Sequence, residues 1–176
     1  MVDYEARLRA LNVIEKRRFK TAAGHLANRK VNLEKVHKKD PQLAAEIAGV
    51  LAIRLCTHGR PDLIVPVPDG ANAWGQDVAL YMGSEIALLR WRDKRSRVLD
   101  FTTEEDRAKV KNARRLAIVD DVFTTGGSIE LVSELQGVRE KVAVAGVVWK
   151  RSRAVPNFVF PLESVVESYV PLMEIE

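Results

Sequence analysis

The chain has 176 residues, 47% hydrophobic and 30% charged, the size and balance of one folded domain, which sets aside disordered, collagen-like and low-complexity classes. Its longest apolar run, Val142 to Trp149, falls well short of the ~20 residues of a membrane-spanning helix. Cys56 stands alone and Met1-Val2-Asp3-Tyr4-Glu5 lacks a leader pattern, so no disulfide and no membrane association are expected, and the cytoplasm is the expected compartment. The net charge of +4 hides an asymmetry: residues 154–176 hold four Glu and no Lys or Arg, so the preceding 153 carry +8. A basic body of this kind points to an anionic partner, either nucleic acid or a small polyphosphate.

In chain order, Leu8, Leu11 and Ile14 lie about one turn apart and predict a helix over 3–16. Two extended pieces, Phe19–Thr21 and Arg29–Leu33, flank Ala23-Gly24 as a hairpin. Asp40-Pro41 supplies an N-cap and an N1 proline, and Leu43, Ile47, Val50, Leu51 and Leu55 form the stripe of a helix ending near Gly59. Leu63–Val67 reads as a buried strand and Pro66-Val67-Pro68-Asp69-Gly70 as a loop, followed by a helix over Ala71–Tyr81 and a strand over Glu85–Leu89. From Arg90 to Arg114 apolar periodicity gives way to charge, which predicts a long exposed or mobile segment. Leu116–Val119 is a strand, Asp120 to Gly127 a loop, Ser128–Leu135 a short helix and Lys141–Val148 a further buried strand. Strands separated by helices imply crossover connections and a mainly parallel sheet covered by helices.

The run Leu116-Ala117-Ile118-Val119-Asp120-Asp121-Val122-Phe123-Thr124-Thr125-Gly126-Gly127-Ser128 carries the chemistry. A buried strand ends in two carboxylates, and a Thr/Gly/Ser loop then opens a helix whose first N–H groups lack partners within it. Glycines admit close approach, the hydroxyls of Thr124, Thr125 and Ser128 add donors, and the helix dipole favours a phosphate dianion. Carboxylates beside a phosphate site serve hydroxyls or a metal ion, which describes a phosphorylated sugar. The chain has neither Gly-Lys-Ser/Thr nor Gly-x-Gly-x-x-Gly, so the other common phosphate loops are excluded. A capped helix entry behind a solvated acidic turn is the purely structural alternative, and it leaves thirteen mutually compatible positions without a shared reason.

Four hydrophobic residues, two acids, two further residues and Thr-Thr-Gly-Gly-Ser resemble the 5-phosphoribosyl-1-pyrophosphate signature of type I phosphoribosyltransferases. The resemblance implies a mainly parallel α/β core flanked by helices, with an N-terminal hood. It implies one domain over 1–176: helix and hood hairpin over 1–40, core over 41–150, C-terminal segment over 151–176. Asp120 and Asp121 would hold the ribose hydroxyls, and through them Mg²⁺ riding on the substrate. Thr124, Thr125, Gly126, Gly127 and Ser128 would cradle the 5′-phosphate, and Val65 to Gly70, including Asp69 and Gly70, would be the pyrophosphate loop. Phe19 to Gly24 with Lys30-Val31-Asn32 is similar to the base-side hairpin of the orotate enzymes, and Arg90 to Lys94 stands at their mobile catalytic loop, where Arg90 and Lys94 would neutralise pyrophosphate. The implied activity is phosphoribosyl transfer to a nucleobase, orotate first, by a homodimer. The chain departs from the orotate pattern at Ala22, Asp69, Trp91 and Ser96-Arg97. Those departures favour the alternatives: another base such as a purine, or a non-catalytic sensor or nucleic-acid-binding regulator on the same fold.

Arg90, Arg92, Lys94, Arg95 and Arg97 read equally as a solvated basic loop. Aromatic residues total only 6%, too few to interleave a single-strand binding surface, so nucleic acid is disfavoured. His25, His37 and His58 lack ligand spacing with one another or with Cys56. Trp149 reads as an interfacial residue with an option to line the base side, Lys150-Arg151 as a solvated basic turn after it, and Cys56 as a buried helix residue.

Overall fold

The computed structural model describes residues 2–20 and 26–171. Helix α1 spans Tyr4–Ala10, with the Asp3 carboxylate accepting from Ala6 N at 2.9 Å. Asn12 then takes a left-handed φ of 55°, and the chain enters strand β1, Ile14–Lys20, which pairs antiparallel with β2, Leu26–Val31. The helix expected to reach residue 16 therefore stops at Ala10, because Ile14 pairs across to Val31 instead of continuing a helical stripe. The expected strand residue Thr21, with Ala22, Ala23, Gly24 and His25, lies outside the described residues.

A short α2, Glu34–Lys39, which periodicity did not reveal, leads into α3, Pro41–Cys56. Asp40 Oδ1 accepts from Leu43 N at 2.9 Å, and Leu43, Ala44, Ile47, Ala48, Leu51, Ala52 and Leu55 are buried at helical spacing. Each fully buried Leu or Ile on that stripe contributes about 1.5–3 kcal/mol. Cys56 sits one position past Leu55, turned away from the stripe, and is exposed rather than buried.

Strand β3, Leu63–Pro66, is followed by α4, Asn72–Met82, and by a two-residue β4, Glu85–Ile86. The segment from Arg90 to Arg114 is ordered into elements, contrary to expectation. A hairpin of β5, Leu89–Asp93, and β6, Val98–Phe101, precedes α5, Glu104–Asn112. Its anchors are Leu89, Leu99, Phe101 and Val110, all buried, and a reciprocal cap between Thr103 and Asp106. Strand β7 runs Leu116–Phe123, so Asp120 and Asp121 stand on the strand rather than in a loop. Helix α6 covers Gly127–Ser133 and β8 covers Val142–Lys150. The acidic C-terminal segment supplies β9, Leu162–Glu167, which no periodicity announced.

The main sheet has the order β4-β3-β7-β8-β9, with every neighbouring pair parallel. One face carries α3 and α4 against Ala117, Val119, Val144 and Val148, and the other carries α6, Val110 and Phe101 against Leu116, Ile118, Ala145 and Val147. Burial on both faces explains the continuous apolar runs of β7 and β8. Trp149 is fully buried in the first of these clusters, with Nε1 donating to Ser168 O at 3.1 Å, so it belongs to the core and not to a base-side wall. From β3 the chain turns outward to β4 on one side, and from β7 outward to β8 on the other. The strand order thus reverses between β3 and β7, and open α/β sheets bind ligands in the crevice at such a point.

Candidate active site

At that crevice β3 and β7 run in register, Pro66 opposite Val119, and Val67 N donates to Val119 O at 2.8 Å. The loop after β3 is thereby laid against the acidic end of β7. A Cβ on Gly70 would stand 2.8 Å from Asp121 Oδ2, closer than carbon and oxygen tolerate, so only glycine brings this loop so near the carboxylate. Pro68–Asp69 is a cis peptide bond at the same place.

Asp120 is 8% exposed and its Oδ1 accepts from Asp121 N at 2.8 Å, while Asp121 is half-buried and its Oδ1 accepts from Val122 N at 2.8 Å. Burial pushes the Asp120 carboxyl well above the usual Asp range, and the adjacent Asp121 charge pushes it further. Burial also raises Asp121, against the opposing pull of backbone donors and of Lys30 on the hood. The pair is thus two carboxyls crowded at one buried spot, where burial favours their uncharged forms.

Beyond Phe123 the chain bends through Thr124 and Thr125 into Gly126, whose φ of +88° suits glycine. Among the described residues no side chain caps α6, and its first N–H groups face this loop. Thr124, Gly127 and Ser128 are half-buried and Thr125 is exposed. Asp120, Asp121 and the Thr124–Ser128 loop therefore lie consecutively around one mouth, with Asp69 and Gly70 opposite.

The β5–β6 hairpin lies beside this mouth. Trp91 Nε1 donates to Pro68 O at 3.1 Å and Lys94 Nζ meets Asp69 Oδ2 at 3.1 Å, both on the loop after β3. Lys94 is thus brought to Asp69, whose charge it answers. Arg90 is not brought there: it stands opposite Asp100 in the hairpin register, one residue out of phase with Trp91. Sequence reasoning passed over the role of Trp91, and a tryptophan among charges was the available signal. Arg151, expected in a solvated basic turn, is instead buried just past β8, because its guanidinium donates to Val170 O, Pro171 O and Arg29 O. Arg151 N also donates to Phe123 O at 3.1 Å, so one residue ties the hood strand to the strand bearing the acids. Beyond it, a cleft of about 420 Å³ at the ends of β8 and β9 is lined by Lys150, Ser152, Arg153, Glu167, Ser168 and Tyr169.

His37 pairs with Asp77 at 3.0 Å and His58 with Glu163 at 2.7 Å, both distant in sequence from the acids. Among the described residues no group of three or more His, Cys, Asp or Glu side chains gathers as a metal cage. No helix among them is long and apolar enough to cross a membrane.

A family model for the phosphoribosyl transferase domain matches residues 37–158, from α2 through the Asp-Asp strand to the segment beyond β8. The chain belongs to the phosphoribosyl transferase family. Within it, the chain is 27% identical over 167 residues to orotate phosphoribosyltransferase of Thermoanaerobacter sp. (strain X514), covering 94% of this chain and 84% of that one. The crystal structure of orotate phosphoribosyltransferase from Aeropyrum pernix shares the fold with a TM-score of 0.69 at 17% identity, covering 94% and 93% of the two chains. Adenine phosphoribosyltransferase from Trypanosoma brucei, in complex with AMP, pyrophosphate and ribose-5-phosphate, shares it with a TM-score of 0.65 at 13% identity, covering 94% and 80%. These phosphoribosyltransferase likenesses extend over the hood and β9 as well as the core.

Proposed function

We propose that this phosphoribosyltransferase moves phosphoribose from 5-phosphoribosyl-1-pyrophosphate to orotate, releasing pyrophosphate. The observation that carries the reading is the meeting, at the reversal point of the sheet, of Asp120-Asp121-x-x-Thr-Thr-Gly-Gly-Ser with the Asp69–Gly70 loop. The orotate relative, 27% identical across 94% of this chain, supports orotate as the base.

In the reaction the C1′–O bond to pyrophosphate breaks, a ring nitrogen of the base forms the C1′–N bond, and the pyrophosphate oxygen keeps the electron pair. Asp120 and Asp121 accept hydrogen bonds from the ribose 2′ and 3′ hydroxyls, which adds donors to those that the backbone already gives two crowded carboxylates. Their negative charge also favours the electron-poor ribose of the transition state. The Thr124–Ser128 loop holds the 5′-phosphate through backbone N–H groups and hydroxyls. Lys94, resting on Asp69, neutralises the departing diphosphate. Hard carboxylate oxygens suit Mg²⁺, and Asp120 and Asp121 would hold it through the sugar hydroxyls, where it supplies positive charge to the diphosphate. A homodimer and a cytoplasmic location belong to the same reading.

Incubation with 5-phosphoribosyl-1-pyrophosphate, Mg²⁺ and, separately, orotate, uracil, adenine or hypoxanthine tests it by pyrophosphate release. Release with orotate alone is expected. Release with a purine alone moves the assignment to that base, and donor binding without release from any base contradicts the enzyme reading.

A further inference from the structure

The hairpin that grips the loop after β3 through Trp91 and Lys94 also reaches the loop after β7. Arg97, at its turn, adopts a left-handed φ of 57° and donates from Nη2 to Gly127 O at 3.0 Å. A Cβ on Gly127 would lie 3.7 Å and 3.9 Å from the two terminal nitrogens of Arg97 and 3.8 Å from Thr125 Oγ1. The guanidinium thus lies against Gly127 in van der Waals reach of the side where Thr125 places its hydroxyl, at the start of α6. Arg97 Nε is shut off from solvent and has no hydrogen-bond partner among the described residues. A guanidinium offers five N–H donors in a planar fork that matches phosphate oxygens, and among the described residues this one spends a single recorded bond on a carbonyl.

We propose that Arg97 is a specificity residue for the 5′-phosphate of the ribosyl donor, turning its fork from the Gly127 carbonyl to the phosphate and so latching the hairpin over a phosphorylated sugar. This rests on the reading of Thr124–Ser128 as the phosphate cradle. The latch acts within one chain, since Arg97 and the loop it touches belong to the same subunit. A cation in contact with the phosphate penalises an unphosphorylated ribose beyond what the loop amides alone achieve. It also links the two loops, because the arm that carries Lys94 to Asp69 ends in Arg97 at Gly127.

Calorimetry with ribose 5-phosphate and with pyrophosphate, on the wild type, Arg97→Gln and Arg97→Lys, tests the assignment. Glutamine still donates to a carbonyl, so the fold is kept, and thermal melting of each variant checks this. Arg97→Gln is expected to bind ribose 5-phosphate about 10–100-fold more weakly, the span of one charge-assisted hydrogen bond. Arg97→Lys is expected to recover part of that loss, and pyrophosphate affinity to stay within about twofold. Wild-type affinity of Arg97→Gln for ribose 5-phosphate overturns the latch and leaves the cradle standing, and an equal loss for both ligands overturns it as a merely structural contact. A wild-type protein that binds no ribose 5-phosphate removes the cradle and the latch together.

Discussion

Two buried charged spots sit on neighbouring strands at the carboxyl edge of the sheet and are treated in opposite ways. At the end of β8, Arg151 is 3% exposed and its guanidinium donates to Val170 O at 3.0 and 2.8 Å, to Pro171 O at 2.8 Å and to Arg29 O at 3.1 Å. At the end of β7, Asp120 and Asp121 crowd like charges together, and burial raises both carboxyls. The first charge is satisfied by the protein and serves as a rivet between hood, sheet and C-terminal segment. The second has a backbone donor on each carboxylate but keeps two acids crowded together, and a ligand bringing further donors would recover what that crowding costs the free protein.

Removing the rivet should produce the largest effect. Arg151→Gln takes the guanidinium donors from the carbonyls of Val170 and Pro171, at about 1–3 kcal/mol for each group left unsatisfied. A fall in Tm of several degrees is expected, at about 2–4 °C per kcal/mol for a chain of this size. A melt unchanged from wild type would show that the carbonyls find other partners and that the two charges are alike.

Gly70→Ala acts on the other spot without touching its charge. The new methyl group must displace the Asp121 carboxylate, so donor affinity is expected to fall roughly tenfold or more by calorimetry, while Tm changes by only a few degrees. Full affinity would show that the carboxylate position is not read by the ribose.

The smallest effect belongs to a charge that is neither riveted nor crowded. His58 and Glu163 join α3 to β9 with both side chains 28% exposed, and Glu163→Gln is expected to cost about 0.2–1 kcal/mol in urea unfolding. A cost of several kcal/mol would make this pair a second rivet.

The contrast also explains what could be read from sequence. The acid pair and phosphate loop are contiguous from Leu116 to Ser128 and rest on local chemistry, so their composition alone exposes them. Arg151 is invisible because its partners lie 19, 20 and 122 positions away. The β5–β6 hairpin was hidden because Leu89, Leu99 and Phe101 are spaced among charges, and its order depends on Asp106, Pro68 and Gly127. Strand β9 was missed because a parallel edge strand is defined by β8, whose Ala145 lies opposite Leu162. Leu162–Glu167 of the acidic C-terminal segment thus belongs to the sheet, with Ser164 donating to Glu167 at 2.6 Å and His58 held by Glu163 at 2.7 Å.

The claim that the acid pair is maintained at a cost is most directly tested by Asp120→Asn, melted across pH with and without 5-phosphoribosyl-1-pyrophosphate. Because the folded-state pKa of Asp120 lies above the ordinary value of 3.8, protonation favours the folded state at low pH, and that contribution is lost as pH rises through the raised pKa. The account predicts that the variant melts higher than wild type at alkaline pH, that the gap narrows as pH falls, and that the donor stabilises it less than it does wild type. A variant that melts lower than wild type at alkaline pH, or is stabilised equally by the donor, would contradict it.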